Sequence, residues 1–223
     1  MRLILLLGCT LAWCAMPSWS EPYQCAGSQI TVHTSQDTIA RLTCSAAQQA
    51  QDLFARCNIP PLNRPLKIEV VTDLKDHCTA IYHCGEGWIE ILEPSLMQGR
   101  RTTGGAFSFL QPEAYYQSVV VHELAHVAFD NVPCPYDACI ATNEYLAYTM
   151  QVMSLPPDAQ QEFAQRSDLD KRVSRDELSA IILLMAPGRF AQLAWAHLSQ
   201  HQDPCSFVGH IMDGTVRFDR ERF

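Results

Sequence analysis

A short HExxH sequence inside an apolar helical stretch constrains this chain more than any other feature. His122, Glu123 and His126 lie in a run rich in valine, alanine and phenylalanine, a composition that favours a buried helix. Two histidines four residues apart project from one helix face, about one turn apart, so both imidazoles can bind one metal ion. Glu123 then stands where a base can take a proton from metal-activated water without binding the metal. The pattern predicts a catalytic zinc site.

A third metal ligand follows on a second predicted helix. Glu144 lies near the start of that helix, which Thr142 or Asn143 can cap. Tyr148 lies one turn beyond Glu144 on the same face. It is either a catalytic residue, which donates to an oxyanion or orients a ligand histidine, or a core tyrosine with a satisfied hydroxyl. We expect one Zn²⁺ ion, bound by the two histidines and Glu144, with an open position for water.

These residues resemble the gluzincin zinc metallopeptidases, which include thermolysin and the neutral zinc aminopeptidases. The resemblance rests on residues 122–126 and on the NExxA pattern of residues 143–147. It implies a zincin-like fold in which the two motif histidines and Glu144 bind zinc and Glu123 is the catalytic acid/base. Tyr148 stands where thermolysin-like chains carry an aspartate. The whole chain also resembles an uncharacterised family of small exported bacterial proteins, which implies no activity.

The hydrophobic pattern predicts strands early in the chain and helices late in it. The predicted strands are residues 29–33, 66–71, 79–82 and 88–92. The predicted helices are residues 35 or 36 to 59, 112–129, about 142–155, 174–184 and 189–200. This separation favours an α+β fold. We expect one zincin-like domain over residues 21–223, in which a small N-terminal mixed sheet carries a packed helix. The active-site helix and a C-terminal helical part then follow.

The N-terminus predicts export. Residues 1–20 combine one arginine, a short apolar stretch and small residues that suit cleavage after Ser20, as in a secretory signal peptide. Cys9 leaves a lipoprotein signal as the alternative. The formal net charge is −8 and there is no basic block, which argues against nucleic acid or an anionic membrane surface as partner. No later apolar run is long enough for membrane insertion. We expect a periplasmic or secreted protein.

The cysteines predict a disulfide framework. Of ten cysteines, Cys9 and Cys14 fall in the predicted signal peptide, and the even number that remains indicates four disulfides in an exported chain. The expected pairs are Cys78–Cys84, Cys134–Cys139, Cys25–Cys44 and Cys57–Cys205. Short separation favours the first two pairs, and antiparallel packing of a strand on the next helix permits the third. The fourth contains the two cysteines that remain.

Three further features each have two interpretations. His197, His201 and His210 are more simply structural or exposed histidines than additional site residues. Asp130 is either a polar helix end or a partner of a ligand histidine. The strand at residues 88–92 is either an interior strand or an exposed sheet edge near the metal, to which an extended peptide can add as a further strand.

The site residues are compatible with three classes of function. The first is an exported zinc-dependent peptidase that acts on a peptide or protein substrate. The second is a catalytically inactive, disulfide-stabilised zinc-binding or interaction protein. The third is a zinc hydrolase of a non-peptide amide, which needs the same residues. Glu123 favours an enzyme, because a protein that only binds zinc needs the ligands and has no use for a base.

Overall fold

The computed structural model describes residues 21–75, 78–167 and 170–220, so the predicted signal peptide lies outside the described residues. Its strands are β1 (Tyr23–Gln24), β2 (Ile30–His33), β3 (Leu66–Val71), β4 (Ala80–His83) and β5 (Trp88–Leu92). They form one sheet in the order β1-β2-β3-β5-β4. The three inner strands are parallel, and β1 and β4 pair antiparallel at the two edges. The expected mixed sheet is confirmed.

The helices follow mainly after the sheet. They are α1 (Asp37–Arg56), α2 (Pro94–Arg100), α3 (Pro112–Phe129), α4 (Ile140–Met153), α5 (Pro157–Arg166), α6 (Ala180–Met185), α7 (Pro187–Ser199) and α8 (Pro204–Met212). The α+β class is therefore confirmed. Within the part of the chain that the structure describes, no helix has the length and apolar character to cross a bilayer.

The amphipathic helix α1 packs one face on the core. Its buried side chains recur at spacings of three and four residues, as an apolar stripe requires, and include Ile39, Thr43, Ala46, Ala50 and Leu53. The Thr43 hydroxyl lies 2.7 Å from the Tyr116 hydroxyl of α3, and both side chains are buried. This bond joins α1 to the helix that carries the HExxH sequence.

The central helix α3 is buried along most of its length. From Ser118 to Phe129 all but one of its residues are buried. A helix that is apolar nearly all round is stable only when neighbours cover every face. Here α1, α2, α4 and β4 pack against α3. Pro112 occupies its first turn, as predicted. Because α4 packs along α3, it brings Glu144 towards the two histidines.

The region after residue 170 differs from its prediction of one helix over 174–184. Ser174 and Glu177 do form the predicted capping box, but it opens only a 3-10 turn at Arg175–Glu177. Leu178 is fully buried, and Ser179 then caps the separate helix α6 by accepting a hydrogen bond from a backbone N–H of its first turn. A second capping serine soon after the first therefore divides the segment.

Three of the four predicted disulfides are present. They are Cys25–Cys44, Cys57–Cys205 and Cys134–Cys139. The predicted Cys78–Cys84 bond is wrong, because the structure does not join these two cysteines. The extended strand β4 lies between them and spans about 10 Å. Bridged cysteines need Cα atoms about 4.4–6.8 Å apart, so the strand holds these two too far from each other.

Candidate metal centre

Packing of α3 on α4 brings the three predicted ligands together. Nε2 of His122 lies 3.5 Å from Oε2 of Glu144, and Nε2 of His126 lies 3.8 Å from Oε1 of the same carboxylate. One ligand atom from each of the three residues lies within 4.8 Å of the other two. The group can therefore hold a metal ion. Among the residues that the structure describes, no second group of this kind is found.

The donors and their spacing suit zinc. Zinc binds imidazole nitrogen and carboxylate oxygen at about 2.0–2.2 Å in a tetrahedral arrangement. Donors at that distance around one tetrahedral ion lie roughly 3.3 Å apart. The distances from Glu144 to the two imidazoles, 3.5 and 3.8 Å, are close to this value. Three protein ligands of these types also leave the open position that a catalytic zinc site requires.

Two side-chain amides orient the ligand histidines. Nδ1 of His126 lies 2.8 Å from Oδ1 of Asn143, and Nδ1 of His122 lies 3.1 Å from Oε1 of Gln151. Because an amide oxygen only accepts, each neutral imidazole carries its proton on Nδ1. Its Nε2 lone pair then faces the position where the three ligands meet.

The Gln151 amide is itself held in one orientation. Its Nε2 donates to the Ser118 hydroxyl at 3.1 Å, and that hydroxyl donates to the Tyr115 carbonyl at 2.8 Å. Since the hydroxyl proton is already donated, Ser118 can only accept from Gln151, which turns Oε1 towards His122. Sequence reasoning missed this amide. The signal was a polar residue two turns after Glu144, on the same face of an apolar helix.

Glu123 lies beside the ligands without belonging to the ligand group. Its side chain is buried and lines the same cavity. Burial raises the pKa of Glu123 to about 7, and the charge of Glu144 adds to the rise. His126 and a hydrogen bond from the backbone of Tyr82 oppose it. A carboxyl group with a pKa near neutrality suits reversible proton transfer.

Glu144 has the opposite electrostatic balance. Burial acts to raise its pKa. When the imidazoles are protonated, a hydrogen bond from His122 and the charges of His122 and His126 outweigh burial and hold the pKa below its ordinary value. The two glutamates of the site therefore differ. Environments that separate the pKa values of two neighbouring carboxyl groups commonly assign them different roles. Here Glu144 suits a ligand that stays ionised, and Glu123 suits an acid/base.

Tyr148 contacts a ligand histidine through its ring. The ring centroids of Tyr148 and His122 are 4.6 Å apart in an edge-to-face arrangement, and the Phe107 ring stacks on Tyr148 with centroids 6.3 Å apart. Burial raises the pKa of Tyr148 far above its ordinary value, and the charge of Glu144 adds to the rise. The phenol is therefore protonated at neutral pH. It lines the cavity over the ligands as a hydrogen-bond donor.

A cavity of about 640 Å³ opens over the three ligands. The helices α3 and α4 form its floor, and strand β4 and the loop at residues 102–108 form walls. Phe107, Tyr115 and Val119 give it an apolar surface, and Arg100 and Arg101 enter it from the end of α2. A cavity that joins a metal centre to apolar walls and a few polar groups is a binding site for an organic molecule.

Strand β4 forms the edge of the sheet beside the metal centre. The interpretation of residues 88–92 as this edge is wrong, because β5 pairs with β3 on one side and with β4 on the other. Residues Ala80, Ile81 and Tyr82 of β4 line the cavity. The outer edge of β4 therefore faces the site, and the backbone of Tyr82 hydrogen-bonds Glu123 across it.

A polar cluster fixes β4 on the end of α3. The Tyr82 hydroxyl donates to the Asp130 carboxylate. Arg64 donates to Asp130 Oδ2 at 2.6 Å and to the Tyr82 hydroxyl at 2.7 Å. Asp130 is the C-cap of α3 and bonds these two residues, so its interpretation as a polar helix end holds. Arg64 and Tyr82 were not singled out in the sequence, because their partner is distant along the chain.

The late histidines lie apart from the metal centre. His197 is buried, and its Nδ1 lies 2.9 Å from the Tyr145 hydroxyl. His201 stacks on Phe207 beside it. His210 is exposed near Asp213. These positions agree with their interpretation as structural or exposed residues.

Comparison with known proteins gives a family and no activity. Residues 30–221 match the model of a family described as "Family of unknown function (DUF6639)". No curated protein and no solved structure matches the chain.

Proposed function

The chain belongs to the DUF6639 family of unknown function, and from the chemistry of its site we propose that it is an exported zinc-dependent hydrolase, most simply a gluzincin-like peptidase. The position of Glu123 carries the proposal. A buried carboxyl group with a pKa of about 7 lies beside three metal ligands, in the cavity that they share, and is not one of them. A protein that only stores zinc gains nothing from such a group.

The metal and the protein divide the chemistry between them. When bound by His122, His126 and Glu144, zinc supplies Lewis acidity, which activates water and polarises a carbonyl. Glu123 accepts the proton of the attacking water and returns it to the leaving nitrogen. Tyr148, protonated and beside His122, donates to the oxygen on which negative charge develops.

The edge strand supports a peptide as substrate. The outer edge of β4 borders the cavity, and strand β5 covers only its inner edge. An extended peptide can pair with such an edge through main-chain hydrogen bonds. That pairing places the peptide over α3, within reach of Glu123. The apolar side chains of Phe107 and Val119 then offer a surface for its side chains. A small non-peptide amide has no use for this edge.

The proposal is tested by separating zinc binding from turnover. Wild type, Glu123→Gln and Glu144→Gln are assayed on a quenched-fluorescence peptide pool, and their zinc content is measured in parallel. Glu123→Gln is expected to keep zinc and to lose at least about 100-fold in turnover. Glu144→Gln is expected to lose zinc first, because it replaces a charged ligand. Glu113→Gln, an exposed glutamate in the first turn of the same helix, is the matched control.

Two results contradict the proposal. One is a zinc-loaded wild type that cleaves no member of a broad pool. The other is a Glu123→Gln variant as active as wild type. Either result makes a zinc-binding scaffold the better description of the site.

A further inference from the structure

Arg101 carries a charge into the cavity, and no acidic side chain among the described residues forms an ion pair with it. It follows α2 as its C-cap and is half-buried in the cavity wall. Its guanidinium donates to the Phe107 carbonyl at 2.5 Å and lies 4.7 Å above the ring centroid of Tyr115. These two contacts hold the group in place and use few of its five N–H donors.

The neighbouring Arg100, unlike Arg101, has a carboxylate partner. Arg100 donates to the Asp73 carboxylate at 2.7 Å and to the Leu74 carbonyl at 3.1 Å. Among the described residues, Arg101 forms no ion pair with a carboxylate. A guanidinium removed in part from water is unfavourable without an anion, and its planar fork matches a carboxylate with two parallel hydrogen bonds. The site is therefore arranged for an anionic group that the described residues do not supply.

The distance to the metal centre fits a group on the substrate. Tyr115, beneath the guanidinium, precedes His122 by two turns on α3. At a rise of about 1.5 Å per residue, the two residues are roughly 10 Å apart along the helix. An extended peptide advances about 3.3 Å per residue. Arg101 therefore lies about three peptide residues from the metal centre.

We propose that Arg101 binds a carboxylate of the substrate, about three residues from the bond that is cleaved. This inference rests on the proposed peptidase function. The carboxylate has two sources, the C-terminus of a peptide or an acidic side chain within it. The first makes the protein an enzyme that removes short C-terminal fragments, and the second makes it an endopeptidase with a preference for acidic residues.

The test measures binding, so it needs no turnover. The zinc-loaded Glu123→Gln protein is titrated with fluorescein-labelled alanine-rich hexapeptides that contain one phenylalanine. One peptide ends in a free carboxylate and one in an amide. Further amidated peptides carry a single glutamate or glutamine at each of the last four positions. The same titrations are made with Arg101→Gln and Arg101→Lys added to Glu123→Gln. Arg41→Gln in the same background, at an exposed arginine of α1 away from the cavity, is the matched control for loss of one positive charge.

The expected result is a carboxylate preference of at least about 10-fold in Kd, as a charge-assisted bidentate pair supplies. Arg101→Gln should abolish it, Arg101→Lys should reduce it, and Arg41→Gln should leave it in place. Preference for the free C-terminus or for one glutamate position identifies the source.

Equal binding of all peptides, no binding of any, or a preference that survives Arg101→Gln would overturn the inference. If Arg101→Gln fails to fold, retention of the full preference by Arg101→Lys counts against a bidentate contact. The outcome is separable from that of the peptidase proposal. A carboxylate preference without wild-type turnover contradicts the hydrolase proposal and supports the Arg101 site. Turnover without the preference supports the hydrolase and contradicts the Arg101 site.

Discussion

Asn143, the residue before the third metal ligand, accepts a hydrogen bond from Nδ1 of the second ligand, His126, at 2.8 Å. One turn of α4 therefore supplies the ligand Glu144 and, through Asn143, orients the ligand His126. Outer hydrogen bonds of this type fix the tautomer and the ring orientation of ligand histidines. The affinity of the site for zinc thus depends on a residue that does not touch the metal.

Asn143→Ala is expected to weaken zinc binding by about 10–100-fold, because the imidazole loses its orienting acceptor. The measurement is competition for zinc against a chromogenic chelator. Asn143→Asp keeps an acceptor oxygen and should retain most of the affinity. Asn131→Ala, at an exposed asparagine, is the control. An affinity of Asn143→Ala equal to that of wild type would mean that the amide has no role in metal binding.

Local signals explain the features that could be predicted from the sequence. Pro112 marks the first turn of α3, and the spacing of His122 and His126 depends only on helical geometry. Glu144 required one further assumption, that the next helix packs beside α3. Because α3 is apolar nearly all round, its faces must be covered by neighbouring elements. The helix α4, joined to α3 by a short linker that a disulfide closes, covers one of these faces.

Features that depend on distant partners could not be predicted. The order of β4 and β5 is set by pairing across the sheet. The sequence pattern of each strand is equally compatible with an edge position and an interior position. The roles of Gln151 and Arg101 depend on their partners in a facing helix or loop, and the sequence does not show which residues these are. The Cys78–Cys84 pairing failed for a related reason, because short separation suggested proximity where the chain between them is an extended strand.

The contact between Tyr82 and Asp130 should contribute measurably to stability. Tyr82→Phe removes a hydrogen bond to a charged group, which typically contributes about 1.5–3 kcal/mol to the free energy of unfolding. Asp130→Asn removes the charge from the same bond. Urea denaturation of both single variants and of the double variant gives the coupling energy. We expect a coupling above about 1 kcal/mol, whereas Tyr23→Phe, at an exposed tyrosine, should have little effect. Additive single effects would show that the two side chains act independently.

Acidification should destabilise the protein through His197. Burial lowers the pKa of His197 from 6.5 to about 4, and the charges of His201 and Arg175 add to the lowering. The unfolded chain therefore binds a proton between pH 6.5 and 4 that the folded protein does not. His197 therefore does not reduce the free energy of unfolding above pH 6.5, and its destabilising effect grows as pH falls to 4. The loss is up to about 3 kcal/mol, at about 1.4 kcal/mol per pKa unit.

The measurement is urea unfolding of metal-free protein across this pH range, so that release of zinc does not contribute. His197→Gln keeps an acceptor for the Tyr145 hydroxyl and cannot titrate. It should show a smaller decrease in stability on acidification than wild type. His210→Gln, at an exposed histidine, should follow wild type. Identical pH profiles for wild type and His197→Gln would place the acid sensitivity elsewhere.

Cys84 provides a chemical probe of the cavity. Its thiol is exposed at the end of β4, where it lines the cavity over the metal centre. Partial burial raises the pKa of Cys84, and the charges of Asp130 and Glu123 add to the rise. Because only the thiolate reacts, folded protein should be alkylated by iodoacetamide more slowly than urea-unfolded protein at pH 8. Zinc with a bound, uncleaved peptide should slow the reaction further by covering the thiol.

The modified residue is identified by mass spectrometry of a digest, and the rate is followed at several times. Cys84→Ser is the control and should lose the label at this position while the three disulfides remain. The comparison uses the Glu123→Gln background, so that the peptide is not consumed. Equal alkylation rates with and without peptide, at peptide concentrations that saturate binding, would place the peptide away from β4. The Arg101→Gln variant is tested at the higher peptide concentration that saturates it. Protection of Cys84 in this variant would show that the contacts at β4 and at Arg101 bind the same peptide independently.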